Sequence, residues 1–238
     1  MSPTSWLLQV RNLTHNFLDF AFPPVCASCQ KVGELLCVEC QANIPWVVEP
    51  ICPACGRILE QSTSCCAVCR REPLPLKQIR TAVIFQGIIP HIIHQMKYNG
   101  AFALAVPLAD MMVKAWPTWQ CPVDLVMPVP LHPKRQKKRG YNQSELIVKR
   151  FCECLTLPPD TQSLQRVRST PPQVGLDAAA RKSNVHGAFA LQDNRVKGKD
   201  ILLVDDVCTT GATLAAATNV LLAAGANSVS AYCVARAM

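Results

Sequence analysis

ILLVDDVCTTGATL, residues 201–214, decides how this chain is read. Ile201, Leu202, Leu203 and Val204 form an unbroken apolar run, the signature of a parallel-sheet strand buried on both faces. Asp205 and Asp206 follow where that strand is expected to end. Thr209, Thr210, Gly211, Ala212 and Thr213 then lead into an Ala-rich helical pattern over residues 214–224. A strand, a short loop and a helix N-terminus gather backbone N–H groups and the positive end of a helix dipole, which suits an anion. Gly211 lets the backbone come close, and the threonine hydroxyls add donors. Two carboxylates would repel a phosphate unless they faced another part of the same ligand. The neighbouring hydroxyls of a ribose fit, because carboxylates accept their hydrogen bonds. The stretch therefore reads as a site for a sugar 5′-phosphate with free 2′ and 3′ hydroxyls. The same letters also suit a buried strand before a capped, polar helix start. The full order of apolar run, two acids, threonines and glycine favours the site.

The rest of the chain alternates strand-like and helical stretches. Residues 82–85, 125–129, 165–168 and 229–234 read as strands, and 90–98, 102–115 and 144–154 as helices. This alternation predicts an α/β fold, a mostly parallel sheet flanked by helices. Ligands of such sheets bind beyond the C-terminal strand ends, where the loops after Val129 and Val204 fall. The first of these loops carries Lys134, Arg135, Lys137, Lys138 and Arg139. It suits a solvated basic loop, a nucleic-acid patch, or a pyrophosphate pocket aligned with the loop after Val204. Residues 166–189 are polar and proline-broken, and read as a lid or as a surface excursion.

With 238 residues, half of them hydrophobic, one or two domains with a full core are expected. The net charge of +8 favours phosphorylated ligands or nucleic acid. No run of 18 apolar residues is present, so no membrane span is expected. Trp6, Val10, Leu13, Phe17 and Phe20 recur at helical spacing and predict an amphipathic N-terminal helix over 1–22. Arg11, His15 and Asp19 interrupt it and argue against a secretion signal. A cytoplasmic location with reduced thiols is then expected. Nine of the fourteen cysteines lie between Cys26 and Cys69. They form the pairs Cys26/Cys29, Cys37/Cys40, Cys52/Cys55 and Cys66/Cys69, with Cys65 in surplus. C-x2-C pairs hold structural Zn²⁺ in closed four-cysteine shells. Sequential pairing gives two sites, and an interleaved arrangement or a single site is the alternative. Four successive pairs suit zinc better than thiol redox chemistry. Lys31, Arg57 and Trp46 are the only basic and aromatic residues of this region, a poor stacking platform for nucleic acid.

The stretch at 201–214 closely resembles the 5-phosphoribosyl-1-diphosphate (PRPP) signature of type I phosphoribosyltransferases. The cysteine pairs, PVPLHPKRQKKRGYNQSELI, RVRSTPPQVGLDAAARKSNVHGAF and ILLVDDVCTTGATL together resemble the ComF family over residues 20–238. That resemblance implies a double zinc ribbon, here 23–72, before a type I phosphoribosyltransferase-like domain, here 76–238. It also implies a role in natural competence or the use of external DNA. By the resemblance, Asp205 and Asp206 hold the ribose hydroxyls and carry catalysis. Thr209, Thr210, Gly211, Ala212 and Thr213 wrap the 5′-phosphate, and Mg²⁺ accompanies PRPP. Arg135, Lys138 and Arg139 face the departing diphosphate. Asn142 and Gln143 match the family's RG[FY]NQ motif, Arg181 and Asn184 its R-x2-N element, and Lys97 its K-[FY]-x-G element. Asn142, Gln143, Arg181 and Asn184 are expected on the lid or acceptor side. Two functions stay open. One is a phosphoribosyltransferase whose acceptor the sequence does not specify. The other is a non-catalytic PRPP or nucleotide module that engages single-stranded DNA or competence proteins.

Overall fold

Four parallel strands build the central sheet of the computed structural model, which describes residues 23–61, 65–116, 121–169 and 187–237. The expected N-terminal helix over 1–22, and both Arg181 and Asn184, lie outside them. In chain order the strands are β1 (Ile79–Ile84), β2 (Leu125–Pro128), β5 (Asp200–Cys208) and β6 (Ser228–Arg236), arranged β1-β6-β5-β2. A separate antiparallel pair joins β3 (Leu164–Arg166) to β4 (Phe189–Leu191). β5 pairs on both edges, with Leu202 opposite Val126 and Leu203 opposite Ala231. Ile201 to Val204 are accordingly buried without a break. α4 (Ala105–Ala115) packs on β1 and β6, and α6 (Gln143–Leu155) on β2 and β5. Between them Tyr232 is fully buried against Phe151 and Trp116, and its hydroxyl donates to the Met112 carbonyl at 2.9 Å. On the opposite face Leu203 and Ala231 meet Leu214, Ala217 and Leu221 of α7 (Ala212–Ala223).

Two local expectations need correction. β5 does not end at Val204 but runs through both acids to Cys208. The partner strand β6 sets this length, pairing Asp205 with Cys233 and Cys208 with Arg236. The basic stretch after Val129 is not a loop but a short helix, α5 (Pro133–Arg139). Pro133 occupies a first-turn position where its missing N–H costs nothing, and His132 Nδ1 caps the Lys134 N–H at 3.2 Å.

The cysteines form two four-thiol groups, Cys26/Cys29/Cys37/Cys40 and Cys52/Cys55/Cys66/Cys69. The pairing is therefore sequential, and Cys66 rather than Cys65 completes the second group. Within each group the Sγ atoms lie within 4.8 Å of one another, as thiolates around one tetrahedral Zn²⁺ require. The two knuckles repeat one design. The Cys26 N–H donates to the Lys31 carbonyl at 2.8 Å, and the Cys52 N–H to the Arg57 carbonyl at 2.7 Å. The Cys37 N–H points at Cys26 Sγ and the Cys66 N–H at Cys52 Sγ, both at 3.4 Å. Cys37 and Cys66 each precede a one-turn helix, α1 (Val38–Ala42) and α2 (Ala67–Arg71). α3 (Ile89–Tyr98) follows β1 in the chain.

The chain divides into two compact units, Met1–Ile44 and Pro45–Met238. The second cysteine group thus shares a unit with the sheet. Ala54 accepts from the Ile79 N–H at 2.8 Å, and Pro53 accepts from the Arg80 guanidinium at 2.8 Å. Gly56 (φ +69°) lies so close to β1 that a Cβ there would stand 2.6 Å from the Ile79 carbonyl oxygen.

Metal analysis of the purified protein should find two Zn²⁺ per chain. Cys26→Ser and Cys52→Ser should each lose one ion. Cys52→Ser should lower the melting temperature of the sheet unit by roughly 10 °C and Cys26→Ser should not, because the second knuckle shares a unit with the sheet and is bonded to β1. Equal melting of the two variants would contradict this assignment.

Candidate functional site

The acids of β5 sit at the C-terminal edge of the sheet, and each has its own partner. Successive strand residues face opposite sides, so Asp205 and Asp206 diverge. Asp205 Oδ1 accepts from the Ser144 hydroxyl and from the Asp206 N–H, both at 2.9 Å. Asp206 is buried at 3% exposure, and its Oδ2 pairs with Lys97 Nζ at 2.8 Å. Burial, followed by the neighbouring charge of Asp206, pushes the Asp205 carboxyl up to about 7. Lys97 and the Ser144 hydroxyl oppose that rise.

The segment RGYNQS, residues 139–144, holds both partners in place. Asn142 starts α6, with its Oδ1 accepting the Ser144 N–H at 3.1 Å and its Nδ2 donating to the Val129 carbonyl at 3.2 Å. The N-cap thereby fixes Ser144 beside Asp205. The Tyr141 hydroxyl donates to the Met96 carbonyl, one residue before Lys97. Arg139 donates to Gln143 Oε1, and its guanidinium lies 5.7 Å from the Tyr98 ring centroid. The segment anchors the end of α3 and the start of α6, which bring Lys97 and Ser144 to the two acids.

Past the acids, Gly211 (φ +83°) turns the chain into α7. The Ala212 N–H donates to Thr210 Oγ1 at 3.3 Å, and Thr209, Thr210 and Thr213 are partly exposed. A twelve-residue helix thus opens next to the acid pair. Arg166 of β3 adds positive charge. It is buried at 8% exposure over the Phe189 ring, 5.4 Å from its centroid. Burial, then repulsion from Arg135, hold its pKa below the usual arginine range, while Asp205 pulls it up. Arg135, Arg166, Arg168 and Asp205 therefore form one electrostatic neighbourhood. A cleft of about 480 Å³ shares Arg166 with it, and Asn142, Gln136, Gln165, Asp193 and Arg195 also line the cleft.

The structure thus brings Asp205, Asp206, the loop over 209–213 and Arg135 to one sheet edge. Asn142, Gln143 and Arg139 are placed as braces behind that edge, and Lys138 is exposed on α5. Ser144 and Arg166 were not among the expected site residues, and Lys97 carried a motif match without a role. The alternation Leu164-Gln165-Arg166, inward at both ends, was the available signal for Arg166.

Comparison with known proteins agrees with this architecture. Residues 17–71 match a double zinc ribbon domain, and residues 158–238 match a phosphoribosyl transferase domain. The DNA utilization protein YhgH of Salmonella typhimurium is 30% identical over 226 residues, covering 91% of this chain and 98% of that protein. Competence protein F of Haemophilus influenzae is 32% identical, covering 93% of this chain and 99% of that protein. Competence protein ComFC of Bacillus subtilis is 28% identical, covering 85% of this chain and 84% of that protein. With a double zinc ribbon, a phosphoribosyltransferase-type sheet and relatives of this identity over nearly their whole length, the chain belongs to the ComF family.

Proposed function

We propose that this protein binds PRPP with Mg²⁺ at the C-terminal edge of β5 and acts in the use of external DNA. The observation that carries the ligand is the adjacency of two partnered carboxylates and a threonine-rich turn into α7. The turn offers N–H groups, hydroxyls and a helix dipole to the 5′-phosphate. Asp205 and Asp206 accept the ribose hydroxyls. Lys97 already neutralises Asp206, so Asp205 is the carboxylate available to Mg²⁺, which shares its ligands with phosphates. Arg135 and Arg166 supply the positive charge that a diphosphate leaving group needs. Catalysis would then be positioning and electrostatic stabilisation of an oxocarbenium-like sugar, with an incoming nitrogen taking the place of diphosphate. The DNA role rests on the names of the relatives.

A second reading, a PRPP or nucleotide module that grips single-stranded DNA, is favoured by α5. Lys134, Lys137 and Lys138 are all exposed there, at spacings of three and four that share one helix face. Such a face neutralises backbone phosphates without reading sequence.

Calorimetry with PRPP and Mg²⁺ should detect binding to the wild type. Asp205→Asn combined with Asp206→Asn should weaken it at least a hundredfold, about 2.7 kcal/mol. Equal affinity in the two proteins would falsify the ribose assignment. Pyrophosphate release across a panel of nucleobases then separates the two readings. Release with any base supports transfer, and none with PRPP still bound supports the binding module.

The carboxyl of Asp205 is harder to ionise in the folded protein than in the unfolded chain, where it titrates near the ordinary 3.8. Its contribution to stability is therefore full below about pH 4 and is lost as the pH rises through about 7. Between pH 5 and 8 the wild type should lose on the order of 2 kcal/mol of stability that Asp205→Asn does not lose. Denaturant melts at both pH values measure this, and parallel losses would show that another group titrates.

If α5 is the single-stranded DNA contact, neutralising Lys137 and Lys138 should lower the slope of log affinity against log salt by about 1.4. A slope unchanged from the wild type removes α5 from the interface.

A further inference from the structure

We propose that Arg236 is a positioning residue that ties the second zinc knuckle to the loop after β5, so that the metal-held backbone sets the shape of residues 209–213. Arg236 ends β6 and is buried at 3% exposure. Its Nη1 donates to the carbonyl of Cys55, a residue of the second four-thiol group, at 2.6 Å. The same nitrogen approaches Cys208 Sγ at 3.2 Å. Cys208 is the last residue of β5 and immediately precedes the threonine turn. One guanidinium nitrogen thus bridges the knuckle and the start of the loop. The Ala237 N–H also donates to the Cys208 carbonyl at 3.0 Å, so the end of β6 grips this residue at backbone and side chain.

The far side of the loop meets the same support. A Cβ on Gly211 would stand 3.2 Å from Ile79 Cδ1 and 3.8 Å from Leu74 Cδ1. Ile79 is the residue whose N–H is bonded to Ala54 of the knuckle. Cys208 and Gly211, at the two ends of the turn, therefore each rest on a residue held by a knuckle carbonyl.

Electrostatics gives the bridge a reason to depend on the metal. Four thiolates around Zn²⁺ carry a net charge of −2, and a buried guanidinium is stable only where such charge offsets it. Arg236 and Arg80 both donate to carbonyls of the segment 53–55. Only Arg236 also reaches Cys208. That difference separates a general role in docking the knuckle from a specific role in shaping the loop.

The test uses the full-length, zinc-loaded protein and two readouts, amide hydrogen exchange of residues 209–213 and calorimetry with PRPP and Mg²⁺. Arg236→Met should keep both zinc ions, speed exchange at 209–213 roughly tenfold and weaken PRPP roughly tenfold. Arg236→Lys keeps a charged donor and should recover part of both losses. Arg80→Met removes a knuckle contact that does not touch the loop, and should leave exchange at 209–213 as in the wild type. Wild-type exchange and affinity in Arg236→Met would refute the proposal, and so would equal loosening of the loop in Arg80→Met. Should Arg236→Met fail to fold, Arg236→Lys decides, and wild-type values in both readouts refute the proposal. The affinity arm rests on the PRPP reading, whereas the exchange arm needs no ligand. A loop that loosens in Arg236→Met while the wild type ignores PRPP would retain the bridge and discard the PRPP reading.

Discussion

Two carboxylates at the buried end of a parallel strand must each find a donor, and the arrangement around β5 follows from that need. Water cannot solvate Asp206, so Lys97 neutralises it. Asp205 takes a hydroxyl from Ser144 and a backbone N–H. The donors come from two helices, Lys97 from the end of α3 and Ser144 from the start of α6. The fold must therefore deliver the end of α3 to one acid and the start of α6 to the other. The RGYNQS segment serves both tasks: Tyr141 holds the carbonyl beside Lys97, and Asn142 caps the helix that presents Ser144.

This gives the two acids unequal chemistry from equal letters. Asp206 is held as one half of an ion pair. Asp205 keeps a weaker, neutral donor and a carboxyl whose pKa is pushed toward neutrality. Groups displaced in this way mark sites where a ligand changes the local charge. A cation arriving at Asp205 would favour its ionised form, whereas Asp206 has its compensating charge already. The asymmetry is what a site needs if one carboxylate orients a sugar and the other responds to metal and phosphate.

Local features were legible from the sequence, and long-range ones were not. The apolar run 201–204, the helix after Gly211 and the C-x2-C pairs each carry their signal within a few residues. The full length of β5 does not, because it depends on pairing with β6 near the end of the chain. The α5 helix was hidden by its charge: five basic residues read as a loop for solvent, nucleic acid or pyrophosphate, although Pro133 and His132 form a standard helix start. Lys97 and Asp206 are 109 positions apart, and no periodicity connects them. Arg166 lay where a short expected strand, 165–168, ran into a stretch that read as a lid or a surface excursion, and its burial comes from the β3–β4 pair.

The second cysteine knuckle shows how a metal site can serve a distant loop without touching a ligand. A zinc shell fixes the backbone that supplies its thiolates, and the carbonyls between those thiolates become rigid acceptors. In the segment 53–55 all three carbonyls are used, by Arg80, Ile79 and Arg236 in turn. Gly56 permits this, since any side chain there would strike the Ile79 carbonyl. Three bonds from one fixed turn place β1 and the end of β6 relative to each other. The turn before α7 lies against both, through Ile79 and through Arg236. The turn over 209–213 then takes support from a coordination shell as well as from the hydrophobic core of Ile79, Cys208 and Leu214, whose side chains tolerate small shifts. A shell of thiolates tolerates fewer, because each Zn–S bond fixes both a distance and a direction.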